Sequence, residues 1–174
     1  MLPVVIVLAS GRGERYAASG GTTHKLAAPL AGQTVLQHTM DAVRASGLPW
    51  HLEDAGHLGM GDSIAAAVRA NSEAAGWLIL PGDLPLIQPA TLRAVADALH
   101  LSVAVPTYQG QRGHPVGFPV SCGLPLMKLH GDQGAASVVR AHAAVELPLD
   151  DVGCVTDIDT VDDLRKAEAL LKAR

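Results

Sequence analysis

Cysteine is almost missing from this chain. Cys122 and Cys154 are the only two, far apart and in no metal-ligand spacing, which argues against a disulfide framework. Eight histidines are scattered without a His-x-x-x-His or Cys–His pattern, so no zinc site is supported. Aromatic residues number five, two Trp, two Tyr and one Phe, too few for a base-stacking platform. Positive charge is not in excess: Lys plus Arg is 13, Asp plus Glu is 17 and the formal charge is -4. A nucleic-acid partner is therefore not expected, because phosphate neutralisation needs a basic face. No apolar run is long enough to cross a bilayer, and the one near the start has no basic leader. These absences lead to the expectation of a soluble, cytoplasmic protein with no membrane partner.

What the chain does have is core-forming material. Of 174 residues, 48% are hydrophobic and 17% charged; that is one domain, residues 1–174, without repeats or linkers. Continuous apolar runs at 4–8, 77–80, 102–105 and 145–147 read as strands of a parallel sheet covered on both faces. An alternating run at 50–53 reads as an edge strand, and 116–120 as another strand. Helical spacing marks 34–45, 63–69 and 89–99, the last with Pro in its first turn. A last helix follows Thr160, where Asp163 completes a capping box. This alternation predicts an α/β, three-layer Rossmann-like domain, with ligands at the carboxyl ends of the strands.

The first strand runs into Leu8-Ala9-Ser10-Gly11-Arg12-Gly13-Glu14-Arg15, with Lys25 beyond. Two glycines permit close backbone approach, and exposed N–H groups in such a turn make an anion nest. Arg12, Arg15 and Lys25 add cationic charge, which fits a triphosphate; a plain tight turn with solvated charges is the competing reading. Gly-Lys-Ser/Thr and a third glycine are both absent, so neither a Walker A loop nor a dinucleotide fingerprint is present. At Gly59-Met60-Gly61-Asp62-Ser63 a helix start either binds a phosphate or base edge or is simply capped by Asp62 or Ser63. In Leu80-Pro81-Gly82-Asp83-Leu84-Pro85 a carboxylate ends a buried strand, as a Mg²⁺ ligand or as a turn residue. Alternation puts Asp157 and Asp159 on one side of an extended segment, as further ligands or as caps of the last helix.

Leu-Ala-x-Gly-x-x-x-Arg followed by Lys resembles the nucleotidyltransferases that activate sugar phosphates and molybdopterin, above all the molybdenum cofactor cytidylyltransferase family. The likeness runs through nearly the whole chain, in Gly-Met-x-x-Ser, Gly-Asp-x-Pro, Gly-His-Pro and Asp-Ile-Asp-Thr. It implies a nucleotide site of Leu8, Ala9, Ser10, Gly11, Arg12, Gly13, Lys25, Gly61 and Ser63. It implies catalytic roles for Lys25, Arg15 and Asp83, and Mg²⁺ on Asp83 with Asp157 and Asp159. Gly113, His114, Asp132 and Gly134 would bind the acceptor.

The implied reaction moves CMP from CTP onto the phosphate of molybdopterin or molybdenum cofactor, with a molybdoenzyme of the xanthine dehydrogenase type as recipient. A GTP-dependent guanylyltransferase and a non-catalytic cofactor carrier are the alternatives. The chain departs from the family twice. Tyr16 to His24 lengthens the gap between Arg and Lys, and the passage from Gly47 to Trp50 implies that one strand unit is lacking.

Overall fold

Side chains alternate across the first strand and thereby set the layers. The computed structural model describes every residue except Arg12 and Leu101. In chain order it has β1 (Val4–Leu8), α1 (Glu14–Ala18), β2 (Pro29–Leu30), β3 (Gln33–Thr34), α2 (Val35–Ala45) and β4 (Trp50–Glu53). Then come α3 (Met60–Ala70), β5 (Gly76–Pro81), α4 (Pro89–Ala98), β6 (Ala104–Tyr108), β7 (Gln111–Arg112) and β8 (Val116–Pro119). The chain continues with α5 (Gly123–Met127), α6 (Ala136–Ala141), β9 (Val145–Pro148) and α7 (Val161–Lys172). Val4 and Ile6 of β1 pack with Ile64 and Val68 of α3, Leu126 of α5 and Val138 of α6. Val5 and Val7 pack on the opposite face with Met40 and Val43 of α2 and Leu92 and Val95 of α4. A sheet between two helical layers follows directly from that period of two.

The main sheet runs β4-β1-β5-β8-β6-β7, with β9 paired to β6. β1 is parallel to β4 and β5, and β6 is parallel to β9, whereas β8 runs antiparallel between β5 and β6. The sheet is thus mostly parallel, as expected, with β8 as the reversed strand. β4 forms an edge, and no strand among the described residues lies beyond it. The expected run at 102–105 is displaced: β6 begins at Ala104 and continues through Pro106, because its later residues pair with β7 and β9. The expected helix at 63–69 starts earlier, at Met60.

Helix signals are realised as local chemistry predicts. Thr34 and Gln37 form a capping box on α2, and Thr160 and Asp163 form one on α7. Away from the strand ends, Asp151 is 2% exposed and accepts hydrogen bonds from the Gln88 and Gly153 backbone and from Thr91 Oγ1. Asp151→Ala strands three donors, so a loss of about 3 kcal/mol is expected in urea unfolding. A loss below about 1 kcal/mol would mean that water replaces the carboxylate.

Candidate active site

Three neighbouring parallel strands, β4, β1 and β5, end on the same side of the sheet, at Glu53, Leu8 and Pro81. Gly82 N–H donates to Leu8 O at 2.9 Å and Ala9 N–H to Glu53 O at 3.0 Å, tying the three ends together. Above them lies a cleft of about 500 Å³, a size that takes a small organic ligand. Leu8, Ser10, Gly11, Gly13, Arg15, Lys25, Ser63 and Asp83 all line it. Ala9 lies beside it, packed in the apolar cluster beneath α7. Arg12, part of the expected nucleotide site, lies outside the described residues.

The long segment between Arg15 and Lys25 is folded back on itself. Tyr16 is 5% exposed. A Cβ on Gly21 would lie 2.2 Å from its ring, so only glycine lets the chain return so closely. His24 Nδ1 accepts from Leu26 N–H at 3.2 Å, so its Nε2 donates to the Gly11 carbonyl. This clasp brings Lys25 to the strand ends despite the extra residues.

Lys25 Nζ is 2.7 Å from Asp83 Oδ2 and 3.6 Å from Asp159 Oδ1. Arg15 Nη1, on a largely exposed side chain, is 3.2 Å from Asp159 Oδ2. Asp83, Asp157 and Asp159 each offer an oxygen, and these three atoms lie within 4.8 Å of one another. Capping does not account for them: Asp163 Oδ2 accepts from Asp159 N–H and Thr160 N–H, leaving the Asp157 and Asp159 carboxylates free of that task. Burial pushes the Asp157 carboxyl above its usual range, and the charges of Asp83 and Asp159 add to that. Asp83 Oδ1 is buried with no hydrogen-bond partner. Crowded, partly unsatisfied oxygen donors fit a hard divalent cation.

Ser63 is inside α3 and does not cap it: Gly59 holds the N-cap position, and Ser63 Oγ is 3.0 Å from Ser10 Oγ. Gly61 faces away from the cleft. A Cβ there would meet Gln133 O at 2.5 Å, and one on Gly59 would meet Gly131 O at 2.1 Å. These glycines let the loop carrying Asp132 lie against the start of α3. Asp132 lines the cleft; Gly113, His114 and Gly134 do not. A Cβ on Gly113 would fall 2.2 Å from Cys154 O, so that glycine serves a backbone crossing. His114 Nδ1 is buried without a partner, and burial holds the imidazole pKa low against the opposing pull of Asp83.

The sequence reading missed Glu53, His57, Leu58 and Met60. The last three line the cleft, and Glu53 ends its strand as Asp83 follows β5. The rule that singled out Asp83, a carboxylate at a strand terminus, applies equally to Glu53. His57 and Leu58 carried no such signal, since they stand in a loop whose path depends on the 130–133 segment.

Residues 40–145, more than half of the chain, match the model of the MobA-like NTP transferase domain. The bifunctional protein GlmU of Dechloromonas aromatica (strain RCB) is 30% identical over 117 residues, 54% of this chain and 25% of the relative. The chain therefore spans about a quarter of that relative's length. Rv0371c from Mycobacterium tuberculosis H37Rv superposes with a TM-score of 0.80 at 29% identity, covering 97% of this chain and 98% of that one. Its complex with manganese gives a TM-score of 0.75 at 26% identity, with the same coverage. Among the described residues no helix is long and apolar enough to cross a membrane.

Proposed function

The chain belongs to the MobA-like NTP transferase domain family, and from that premise we propose that it transfers CMP from CTP to the phosphate of molybdopterin or molybdenum cofactor. One observation carries the reading: Lys25, Arg15, Asp83 and Asp159 line the same cleft as Gly11 and Gly13 of the glycine-rich loop, and Asp157 joins Asp83 and Asp159 in one carboxylate cluster. An acceptor phosphate oxygen attacks the α-phosphorus of CTP. The bond from the α-phosphorus to the bridging oxygen breaks, pyrophosphate leaves, and a new phosphoanhydride joins CMP to the acceptor. No covalent enzyme intermediate is needed.

Gly11 and Gly13 give the backbone room to approach the phosphates. Lys25 and Arg15 leave their carboxylates to follow the charge that builds up on the departing pyrophosphate. Asp83, Asp157 and Asp159 would hold Mg²⁺, which supplies Lewis-acid neutralisation of phosphate charge. The manganese complex of Rv0371c supports a divalent ion in this fold. Preference for CTP rests on the resemblance at Leu8-Ala9-Ser10-Gly11. Asp132 stands at the cleft wall, where an acceptor has to enter. Gly113, His114 and Gly134 do not line the cleft, and their expected part in acceptor binding rests on the resemblance of their motifs. A molybdoenzyme of the xanthine dehydrogenase type would receive the product.

Calorimetry with CTP and GTP, each with and without Mg²⁺, tests the reading. Mg²⁺-dependent CTP binding, with GTP at least about tenfold weaker, a gap of about 1.4 kcal/mol, is the expected result. Preference for GTP would transfer the proposal to guanylyl transfer. Failure to bind either nucleotide would end it.

A further inference from the structure

The cleft is lined by two chemically different groups of residues, on either side of β1 in the sheet order β4-β1-β5. Past β5, Asp83 meets Lys25, Arg15 and Asp159 in the charged cluster. Past β4 come His57, Leu58 and Met60. Leu58 is 86% exposed and Met60 53%, so this part of the cleft offers apolar side chains to a ligand. On the nucleotide reading above, phosphates belong at the charged cluster. The apolar group is then the place for the flat face of the base.

In that group a buried carboxylate fixes an imidazole. The Glu53 side chain is only 7% exposed, at the end of edge strand β4. His51 Nε2 lies 2.9 Å from its Oε2, and His57 Nε2 lies 3.0 Å from its Oε1. An ionised carboxylate can only accept, so both Nε2 atoms donate. The ring of His57 is thereby oriented and its Nε2 proton assigned. Its other nitrogen, Nδ1, has no hydrogen-bond partner among the described residues, and the ring forms part of the cleft wall. The Ala9 N–H to Glu53 O bond, at 3.0 Å, locks this arrangement to the start of the glycine-rich loop. Both imidazoles satisfy the buried carboxylate, and His57, which also lines the cleft, has a second ring nitrogen to offer a ligand edge.

We propose that His57, oriented by Glu53, is a base-reading residue whose Nδ1 accepts a hydrogen bond from an amino-bearing base, and that it favours cytosine over uracil. The 4-amino group of cytosine supplies the donor. Uracil presents a carbonyl at the same position, so two lone pairs would face each other. Glu53 is a positioning residue here, because it acts through His57. His51 completes the satisfaction of the buried carboxylate.

The test is titration of the protein with CTP, UTP and inorganic tripolyphosphate, all with Mg²⁺. His57→Ala and Glu53→Gln are compared with the unaltered chain, and circular dichroism checks that each folds. The unaltered protein is expected to bind CTP about tenfold tighter than UTP, the worth of one hydrogen bond. In His57→Ala that ratio falls to near one while tripolyphosphate affinity stays within about twofold. Glu53→Gln lowers the same ratio several-fold, since an amide cannot accept from both imidazoles on its two terminal atoms. Equal loss of CTP, UTP and tripolyphosphate in His57→Ala would make His57 a structural support and overturn the proposal. So would an unchanged ratio, or a preference for UTP in the unaltered protein. Absence of binding by every nucleotide would overturn this inference together with the nucleotide reading, whereas equal binding of CTP and UTP removes the inference alone.

Discussion

Asp83→Asn is expected to lower turnover by about 10²–10⁴-fold while the protein still folds. Asp83 is the most buried of the three clustered carboxylates and contacts Lys25 at 2.7 Å. Its other oxygen is buried without a partner, so its desolvation is only partly offset. Asparagine keeps the shape and removes the charge. Two consequences oppose each other in the folded protein: Lys25 loses a counter-ion, and a buried carboxylate no longer has to be kept ionised. Stability measured by urea unfolding should therefore move by no more than about 1–2 kcal/mol. Divalent-ion binding, read by Mn²⁺ titration, should weaken in parallel with turnover. Retention of turnover would remove Asp83 from the mechanism, and loss of both turnover and fold would assign it a structural role.

Lys25→Met has an effect of similar size with a distinct signature. The Lys25 side chain is 16% exposed and sits between Asp83 and Asp159. Its ammonium compensates two of the carboxylates that would also hold a divalent ion. Removing it leaves Arg15 as the nearby cation paired with the cluster, through Asp159 alone among the described residues. Mn²⁺ affinity without nucleotide should rise by about tenfold, because no ammonium has to be displaced. Activity should fall by about 10²–10³-fold, because the charge that follows the phosphates is gone. Tighter ion binding with lost activity is a pattern that general damage to the fold would not produce. Weaker Mn²⁺ binding in this variant would show that Lys25 and the ion do not compete.

The parts of the fold legible in the sequence are those fixed by local chemistry. The run Val4–Leu8, the capping box at Thr160, and Pro89 at the start of α4 each carry their own signal. Long-range geometry was less visible. β8 enters the sheet antiparallel between two strands that are parallel to each other, and no residue within 116–120 encodes that orientation. β6 continues through Pro106, whose missing N–H argues for a strand end; pairing with β9 and β7 carries it on. α3 begins at Met60 because Gly59 and Gly61 let the 130–133 backbone press against it, a contact seventy residues away in sequence.

The candidate site divides in the same way. Lys25, Arg15, Asp83, Asp157 and Asp159 were anticipated, and the fold brings them together. Gly113 and His114, expected on the acceptor side from their motif, stand against the Cys154 backbone, Gly113 buried and His114 half-buried, and neither is among the residues lining the cleft. Motif spacing reports which residues stand together in the chain, and the fold decides which of them share a cleft. Glu53 at the end of β4 carries the same strand-terminus signal as Asp83, whereas its partnership with His57 spans a turn that only the folded loop shows.

Formation of pyrophosphate from CTP and Mg²⁺, with and without a molybdopterin-class phosphate acceptor, tests the central claim most directly. The account predicts pyrophosphate release that depends on both the acceptor and the divalent ion, in equal amount to the CMP-linked product, and that is abolished in Asp83→Asn. Tight binding of the acceptor with no pyrophosphate from any nucleoside triphosphate would contradict it.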